Sequence, residues 1–466
     1  MTGRRAAVRV MALSLIAPGA VVFAGAGAAQ AAPGTPGVPQ APVTLYTETF
    51  ENAVPAAGEL LTSYKGAKGE TYTADAPWLA DCNGWVTDFN STGNMNCASA
   101  ADADNLRQLA WALGSFAGAA APAGNHVVAA YTENNPGANL VQFKTVKPIP
   151  LPGKSGGRFL SFSVDYGAEN CKIASAPQPQ FFLTSGGTET PAGSVIDACS
   201  SSTTVTAPTV GGNPATDVQV GTYTSNGSVL FKGSSVGVVM RNANGSGGGN
   251  DDAFDNIKIL DATPQLDKSF SPASVRVGKN STLTFTVTNT KELAAKDGWS
   301  FTDALSAGLT VAASPAAATT CPSGKVTAPS GGSKVTVDGN LSAGMKSCTV
   351  TVPVTSKTAG SYTNGPDNIT GTGMNPSGTA KVDFTKVPSP VPPQHPVIQT
   401  GFGGMAAAVA EHHPFAGKAK LRAAPGDARL PPAQAVWLIT PGGSRAAGAG
   451  SSRGWPRHPG AIRVPR

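Results

Sequence analysis

The acidic residues around position 250 have the types and spacing for binding a cation. Asp251, Asp252 and Asp255 place three carboxylates within five residues, after a Gly-rich segment and before an alternating stretch. Hard oxygen ligands of this kind suit Ca²⁺, with Glu48 or Glu51 of the first strand as possible further ligands across the sheet. Without a cation the three carboxylates would repel one another. The alternative is an Asn/Asp/Gly turn whose side chains bond only to the backbone.

Three tryptophans in the first third of the chain have the chemistry of a sugar-binding platform. Trp78, Trp85 and Trp111, together with Tyr64 and Tyr72, offer flat aromatic faces that match the apolar faces of pyranose rings. The alternative is that these side chains fill the core or cover a neighbouring loop. Large aromatic side chains are mostly buried, so the sequence favours core packing for each tryptophan.

Lys268 belongs to a set of residue types that can form an internal covalent cross-link. With Asp303 and either Asn289 or Asn364, its amine would displace ammonia from the amide and leave an isopeptide bond. The alternative is a solvated lysine beside ordinary turn asparagines. The sequence favours that alternative, because lysine is rarely buried without a partner.

Other catalytic patterns fail on their context. Residues 233–237 match G-x-S-x-G, but the motif needs a strand, a sharp turn and a helix, and here an apolar stretch continues as strand. His126 is the only histidine before His395, so we expect no histidine-based triad or multi-histidine metal site in the folded part. A hydrolase that uses paired carboxylates stays open, with Glu133, Asp165 and Glu169 as available acids.

The six cysteines predict a disulfide framework. They divide into three pairs that are close in sequence, and no C-x-x-C or Cys/His cluster has zinc spacing. Each closed loop would contribute about 3 to 4 kcal/mol in the chain-entropy model. The predicted pairs are Cys82 with Cys97, Cys171 with Cys199, and Cys321 with Cys348.

Residues 1–31 predict a secretory signal peptide, with a basic start, an apolar core and an Ala-Gln-Ala cleavage pattern. The net charge of +6 is misleading, because residues 1–31 and 387–466 together hold twelve Lys/Arg against two acidic residues. The part between them carries a small net negative charge. We therefore expect an extracellular protein with no nucleic-acid partner.

The elements that position these residues are predicted to be almost entirely β-strands. A mobile Pro/Gly-rich leader at 32–42 precedes a jelly-roll-like β-sandwich at 43–262, in which apolar residues alternate along residues 160–166. The one predicted helix spans residues 102–113 and ends at Gly114. Frequent Gly-Gly, Asn-Gly and Pro-Gly breaks argue against long helices.

A second all-β domain is predicted at 263–386. Leu283, Phe285 and Val287 share one face of a strand, and Cys348 shares the apolar parity of the residues that follow it. A disulfide to Cys321 would then be buried between two sheets, as in Ig-like sandwiches.

The remainder of the chain is predicted to be extended. Residues 387–400 form a Pro-rich spacer, and residues 401–466 form a disordered basic tail. No apolar run in the mature chain approaches the roughly 20 residues of a membrane span. The tail indicates either plain secretion or an anchor whose coding sequence has slipped frame.

Five sequence blocks carry a resemblance to a known family. They are residues 266–272, 283–289, 301–303, 307–311 and 360–364. With them, residues 264–386 resemble a bacterial surface Ig-like repeat family of unknown function. The resemblance implies a stalk or spacer module of an envelope protein, without assigned binding residues.

The first domain is similar to secreted jelly-roll modules that bind calcium at their last strand. The similarity rests on residues 50–52 and 251–259. The signal peptide and the Ala/Gly-rich composition are typical of a high-GC Gram-positive bacterium. We therefore expect a secreted or envelope-associated, non-enzymatic binding or adhesion module, for a glycan or surface partner, on an Ig-like stalk. The alternatives are a secreted hydrolase with its site in the first domain, and a purely structural role.

Overall fold

The computed structural model describes residues 34–388, apart from residue 155 and residues 172–174. The predicted signal peptide at 1–31, most of the spacer and the predicted tail at 401–466 lie outside the described residues. Within the described part, strands dominate and two α-helices occur, so the predicted all-β class is confirmed. No helix in this part is long and apolar enough to cross a membrane.

The first region, residues 34–262, contains fifteen strands and both helices, which are numbered here in chain order. The helices are α1 (Ala76–Leu79) and α2 (Ala100–Phe116). The strands are β1 (Val43–Glu48), β2 (Glu59–Leu60), β3 (Tyr72–Thr73), β4 (Asn83–Thr87), β5 (Val127–Tyr131), β6 (Leu140–Thr145), β7 (Ile149–Pro150), β8 (Arg158–Glu169), β9 (Pro179–Ser185), β10 (Thr188–Pro191), β11 (Thr204–Ala207), β12 (Thr216–Thr224), β13 (Gly227–Phe231), β14 (Ser235–Asn242) and β15 (Asp251–Asp261).

Two sheets of the first region enclose its main core. One has the order β2-β4-β5-β15-β8-β13, with β1 on β15 and β12 on β8, and the other has the order β10-β9-β14-β6-β3. The alternation along β8 predicts a buried face, and Leu160, Phe162 and Val164 do lie in this core, where Phe162 packs against Phe181. Burial of apolar side chains at this alternating period is the main force that holds the two sheets together.

Helix α2 packs on the outer face of the first sheet. Ser99 caps it by accepting a hydrogen bond from the backbone N–H of Asp102 at 3.2 Å. The helix passes through Gly114 to Phe116, so the predicted end at Gly114 is wrong. The glycine is required for packing instead, since an added Cβ would lie 2.6 Å from the Cβ of Asn125.

The second region, residues 263–388, contains twelve strands in three sheets. These are β16 (Gln265–Ser271), β17 (Ser274–Arg276), β18 (Asn280–Thr288), β19 (Ala295–Ala304), β20 (Thr310–Val311), β21 (Ala318–Thr319), β22 (Lys325–Thr327), β23 (Lys334–Leu341), β24 (Ser347–Thr355), β25 (Gly360–Asn364), β26 (Ile369–Thr372) and β27 (Ala380–Thr385). The sheet orders are β16-β18-β24-β20, β17-β27-β25, and β19-β23-β22 with β26 on the side of β19 opposite β23.

The core of the second region follows the alternation in its sequence. Leu283, Phe285 and Val287 are all fully buried on β18, as predicted. Cys348 lies on the buried face of β24, and its partner Cys321 belongs to the same core. The sandwich is therefore filled by side chains from its facing sheets.

The two regions are joined by direct contacts as well as by the chain. Strand β13 pairs in parallel with β19, and Phe159 of β8 packs into the core of the second region. Residues 34–42 were predicted to be mobile, but the carbonyl of Gln40 accepts a hydrogen bond from the backbone of Lys291 at 2.8 Å. This segment therefore lies along the second region, because its free backbone groups find partners there.

Candidate functional site

A groove lies at the junction of the two regions. Its volume is about 320 Å³, and it is bounded by the end of β12, the loop before β13 and the loop before β19. Hydroxyl, amide and carboxylate groups line it at Ser161, Ser225, Asn226 and Glu292, above an apolar floor that includes Leu260. Concave sites of this size, with an apolar surface and a few polar groups, suit small ligands and often occur between domains. We call it the junction groove.

A second cavity of about 80 Å³ shares Thr224 and Asn226 with the junction groove. Phe162, Phe181 and Tyr223 line this aromatic recess. Tyr223 is half-buried, so part of its side chain is exposed to solvent. The groove offers hydroxyl, amide and carboxylate groups and the recess offers aromatic side chains, and both kinds of contact are used in recognising sugar rings.

Asp251 and Asp252, two of the predicted calcium ligands, are consecutive residues on β15 and so point to opposite faces of the sheet. Asp251 accepts hydrogen bonds from Asn170 Nδ2 at 2.6 Å and from the backbone N–H of Thr132 at 3.0 Å. Burial raises the pKa of Asp251 to about 6 and that of Asp252 to about 7. Glu169, directly opposite Asp251 on β8, has its pKa raised to about 8 by burial and by Asp251.

Asp255 and Glu51 are brought near each other by one loop. Asn125 donates a hydrogen bond to Asp255 at 3.1 Å, and the next residue, His126, donates its backbone N–H to Glu51 at 2.9 Å. Burial raises the pKa of Asp255 well above its ordinary range. Donors of the protein itself therefore hold both carboxylates.

Glu48, the remaining predicted ligand, lies in the aromatic core. Its carboxylate accepts hydrogen bonds from the hydroxyls of Tyr64 and Tyr72 and, at 2.9 Å, from the backbone N–H of Phe50. The five predicted calcium ligands are thus divided among separate hydrogen-bond networks. Among the described residues, one group of three ligand types lies within 4.8 Å, namely Cys82, Cys97 and Glu133, and its cysteines are joined in a disulfide.

The three tryptophans do not form an exposed platform. Trp78 is only 1% exposed and belongs to the main core of the first region. Trp85 and Trp111 are half-buried against the cluster beneath α2. Burial of their large apolar surface explains these positions, as the core alternative expects. Tyr223, which is also half-buried, lines the aromatic recess.

The remaining sequence motifs take structural positions. Residues 233–237 lead directly into β14, whose first residue, Ser235, pairs with Pro150, so no helix follows the serine. His126 is buried and its ring Nδ1 lies 3.2 Å from Glu51. The cysteines are joined as Cys82–Cys97, Cys171–Cys199 and Cys321–Cys348.

Lys268, Asp303 and Asn364 meet inside the second region, and we call them the Lys–Asp–Asn cluster. The side chains of Lys268 and Asp303 are 0% exposed, so the expected solvated lysine is wrong. Lys268 Nζ donates to Asn364 Oδ1 at 2.5 Å and lies 3.5 Å from Asp303 Oδ1, and Asn364 Nδ2 donates to Asp303 Oδ2 at 2.7 Å. Asn289, the other candidate, bonds to the backbone carbonyls of Ala294 and Met345 instead.

Sequence reasoning did not find the junction groove. Its polar residues are separated along the chain, and only the pairing of β13 with β19 brings residues near 225 beside residues near 293. No local pattern encodes such a contact. The Ser-Asn-Gly turn at 225–227 is a weak signal, since turns of this type often carry binding residues.

The chain matches known proteins over part of its length. No curated protein matches the chain. Similar solved structures include the N-terminal domain of the Streptococcus gordonii adhesin Sgo0707, with 10% identity, 56% of this chain and 61% of that chain covered, and a TM-score of 0.23. The Fcho1 Mu homology domain of Danio rerio with bound Eps15 peptide gives 10% identity, coverage of 49% and 77%, and a TM-score of 0.15. The chain thus spans less than two thirds of the adhesin structure, and neither TM-score supports a shared fold. Residues 264–385 match the model of a family described as a domain of unknown function, DUF7933.

Proposed function

We propose that this protein is a secreted or cell-envelope-associated, non-enzymatic binding protein that recognises a glycan in the junction groove. The observation that carries the proposal is the groove of about 320 Å³, lined by hydroxyl, amide and carboxylate groups, which shares Thr224 and Asn226 with an aromatic recess. Sugars are bound by hydrogen bonds to their hydroxyls and by aromatic contact with their apolar faces. Both kinds of contact are available around Asn226 and Tyr223.

The contacts between the regions support a stalk role for the second one. Lys154 Nζ of the first region donates a hydrogen bond to Asn375 Oδ1 of the second region at 2.6 Å. Phe159 adds an apolar contact across the junction. A junction fixed in this way would hold the groove in one orientation with respect to the surface that carries the protein.

Two sequence features support an extracellular location. The predicted signal peptide would direct export, and three disulfides are typical of exported proteins. A glycan is a common component of the bacterial envelope and of host surfaces, so an exported sugar-binding groove has ligands within reach.

A glycan array with the purified full chain tests the proposal. We expect retention of a limited set of glycans, and loss of that retention in Tyr223→Ala and Asn226→Ala, which remove the aromatic face and an amide. Asn52→Ala is the matched control, because Asn52 is an exposed asparagine whose side chain bonds to the backbone of Lys65 away from the groove. Unchanged retention in the groove variants would contradict the proposed site.

An activity screen on the same glycans separates the proposal from its alternatives. Retention without turnover supports the binding protein. Turnover of a retained or unretained glycan would favour the secreted hydrolase. Neither retention nor turnover would favour the purely structural role.

A further inference from the structure

The Lys–Asp–Asn cluster lies in an apolar interior and draws on three sheets. Lys268 is on β16, Asp303 on β19 and Asn364 on β25. Their cross-strand neighbours are buried apolar residues: Lys268 faces Phe285, Asp303 faces Val335 and Asn364 faces Ala380. Burying a charged lysine among such residues is costly, so its persistence there requires a specific partner.

The geometry places the amine of Lys268 against the amide of Asn364 in a reactive arrangement. Nζ lies 2.5 Å from Oδ1, and the carbonyl bond is about 1.2 Å long, so Nζ lies at most roughly 3.7 Å from the amide carbon. Reacting atoms in near-attack arrangements are about 3 to 3.5 Å apart. The backbone carbonyl of Gly365 also accepts a hydrogen bond from Nζ, at 2.7 Å, and fixes the amine in this position.

Asp303 bridges the two nitrogens that would exchange places. One carboxyl oxygen is 3.5 Å from Lys268 Nζ, and the other accepts a hydrogen bond from Asn364 Nδ2 at 2.7 Å. Burial lowers the pKa of Lys268 and raises the pKa of Asp303. Transfer of one proton from the lysine to the aspartate gives a neutral amine beside a neutral acid, which suits this interior better than two charges.

We propose that Lys268 and Asn364 form an intramolecular isopeptide bond, with Asp303 as the proton-transferring catalytic residue. The neutral amine attacks the amide carbon, and the Nζ–Cγ bond forms. Asp303 takes a proton from Nζ and delivers one to Nδ2, the Cγ–Nδ2 bond breaks, and ammonia leaves. The amine and the amide become a secondary amide and ammonia, with no oxidant or cofactor required.

This bond would close the second region across 96 residues of sequence. Its ends lie on the first strand of the region and near the last, so a pulling force on the chain would pass through the bond and bypass residues 269–363. The Cys321–Cys348 disulfide lies inside that bypassed segment. Such a covalent path suits a module that bears load, and it does not depend on the glycan proposal.

Tryptic mapping of the reduced, alkylated full chain tests the bond. Trypsin cleaves after unmodified lysine and arginine, so an isopeptide at Lys268 blocks cleavage there. We expect a branched peptide that joins residues 259–276 to residues 358–381, lighter by one ammonia than the two peptides together. Recovery of the separate linear peptides 259–268 and 269–276 in full from folded protein would overturn the proposal.

Two variants locate the reaction. Lys268→Arg and Asp303→Asn are expected to give no branched peptide and no loss of ammonia in the intact mass. Lys296→Arg is the matched control and should keep the bond, because Lys296 is equally buried beside a carboxylate, Glu292, but donates to a backbone carbonyl instead of an amide side chain. Circular dichroism and the disulfide map show that each variant is folded.

A second reaction at Asn364 could also release ammonia, because Gly365 follows it in the sequence. Attack by the backbone nitrogen of Gly365 would form a succinimide, which also releases ammonia. Such a loss would persist in Lys268→Arg and would yield no branched peptide, and this result would overturn the proposal. A branched peptide in Asp303→Asn would overturn the role given to Asp303.

Discussion

The first region buries carboxylates beside one another, whereas the second region buries lysines beside carboxylates. Glu169 and Asp251 face each other on β8 and β15, and the donors to Asp251 are an amide and a backbone N–H. In the second region Lys268 faces Asp303 and Lys296 lies 3.0 Å from Glu292. Burial of these groups costs desolvation free energy in both regions. The first region offsets it with hydrogen-bond donors and protonation, and the second region offsets it by pairing each lysine with a carboxylate.

The two kinds of buried pair reach a neutral state in different ways. A buried carboxylate beside another carboxylate becomes neutral by holding a proton. The folding stability of the region that contains it therefore depends on pH. A buried lysine beside a carboxylate becomes neutral by passing its proton to that partner. The free amine that results is a nucleophile, and in the Lys–Asp–Asn cluster an amide carbon lies within its reach.

Loss of the isopeptide bond is the largest effect that we expect. In Lys268→Arg, the unfolded second region regains the freedom that a closed loop of about 100 residues removes, which the chain-entropy model puts at about 4.7 kcal/mol. Guanidinium denaturation of the full chain, followed by circular dichroism, measures the change as an earlier transition for this region. Lys296→Arg keeps the cross-link and is expected to move the midpoint much less.

An equal loss of stability in both lysine variants would contradict this expectation. It would mean that each lysine contributes only through its ion pair. The two buried pairs would then be alike, and the proposed covalent difference between Lys268 and Lys296 would disappear.

The Cys82–Cys97 disulfide is expected to have the next largest effect. It closes a loop of 15 residues in the first region, for which the chain-entropy model gives about 3 kcal/mol. Replacing both cysteines with alanine should lower the free energy of unfolding of the first region by about that amount. If the unfolding transition of the second region stays at the same denaturant concentration, the disulfides stabilise the two regions independently.

If that double variant instead unfolds both regions together at lower denaturant, the junction couples them. The contacts of Phe159 and Lys154 across the junction would then transmit the loss. Lys154→Ala is the matched test, since it removes the hydrogen bond to Asn375 without touching any of the three disulfides.

Local patterns predicted much of the fold. The period-two alternation of Leu283, Phe285 and Val287 identified a buried strand face, because side-chain direction in a strand depends only on position along the chain. The cysteines on such faces could be paired by proximity in sequence. These features need no knowledge of the rest of the molecule.

Contacts between distant strands were beyond the same reasoning. Gly114 looked like a helix end, but it is a packing position set by Asn125. Lys268 looked solvated, because lysine usually is, and its burial depends on Asn364, which lies 96 residues away. The junction groove depends on a pairing between the two regions and has no local signature.

The pH dependence of the first region is the third expected effect. The pKa of Glu169 is raised to about 8, whereas an unfolded glutamate titrates near 4.3. Between these values the folded state holds a proton that the unfolded state has released, so the free energy of unfolding falls as pH rises from about 5 to about 8. Below about pH 5 the folded protein does not bear the cost of a buried charged Glu169, and above about pH 8 it bears that cost in full. Thermal unfolding across this range measures the trend.

Glu169→Gln should flatten that trend and raise stability at pH 8 by about 1 to 3 kcal/mol, because it removes a buried charge whose Oε1 has no hydrogen-bond partner. Glu189→Gln is the matched control. Glu189 pairs with Arg241 at 2.9 Å, and this hydrogen bond lowers its pKa, so the substitution leaves the trend intact. An unchanged pH profile in Glu169→Gln would show that the other buried carboxylates set it.

The smallest effect is expected for calcium. Adding it to chelator-treated protein at pH 8 should leave the melting temperature unchanged. Ca²⁺ needs six to eight oxygen ligands, whereas Asp251 and Asp252 point to opposite faces and Asp255 is held by Asn125. A rise in melting temperature that Asp251→Asn removes, and that the exposed control Asp383→Asn keeps, would contradict this expectation. It would place the ion at the Asp251–Glu169 pair, where its charge would lower both pKa values. The fall in stability from pH 5 to pH 8 would then disappear in the presence of calcium, so the two titrations together decide whether a proton or a metal ion neutralises these carboxylates.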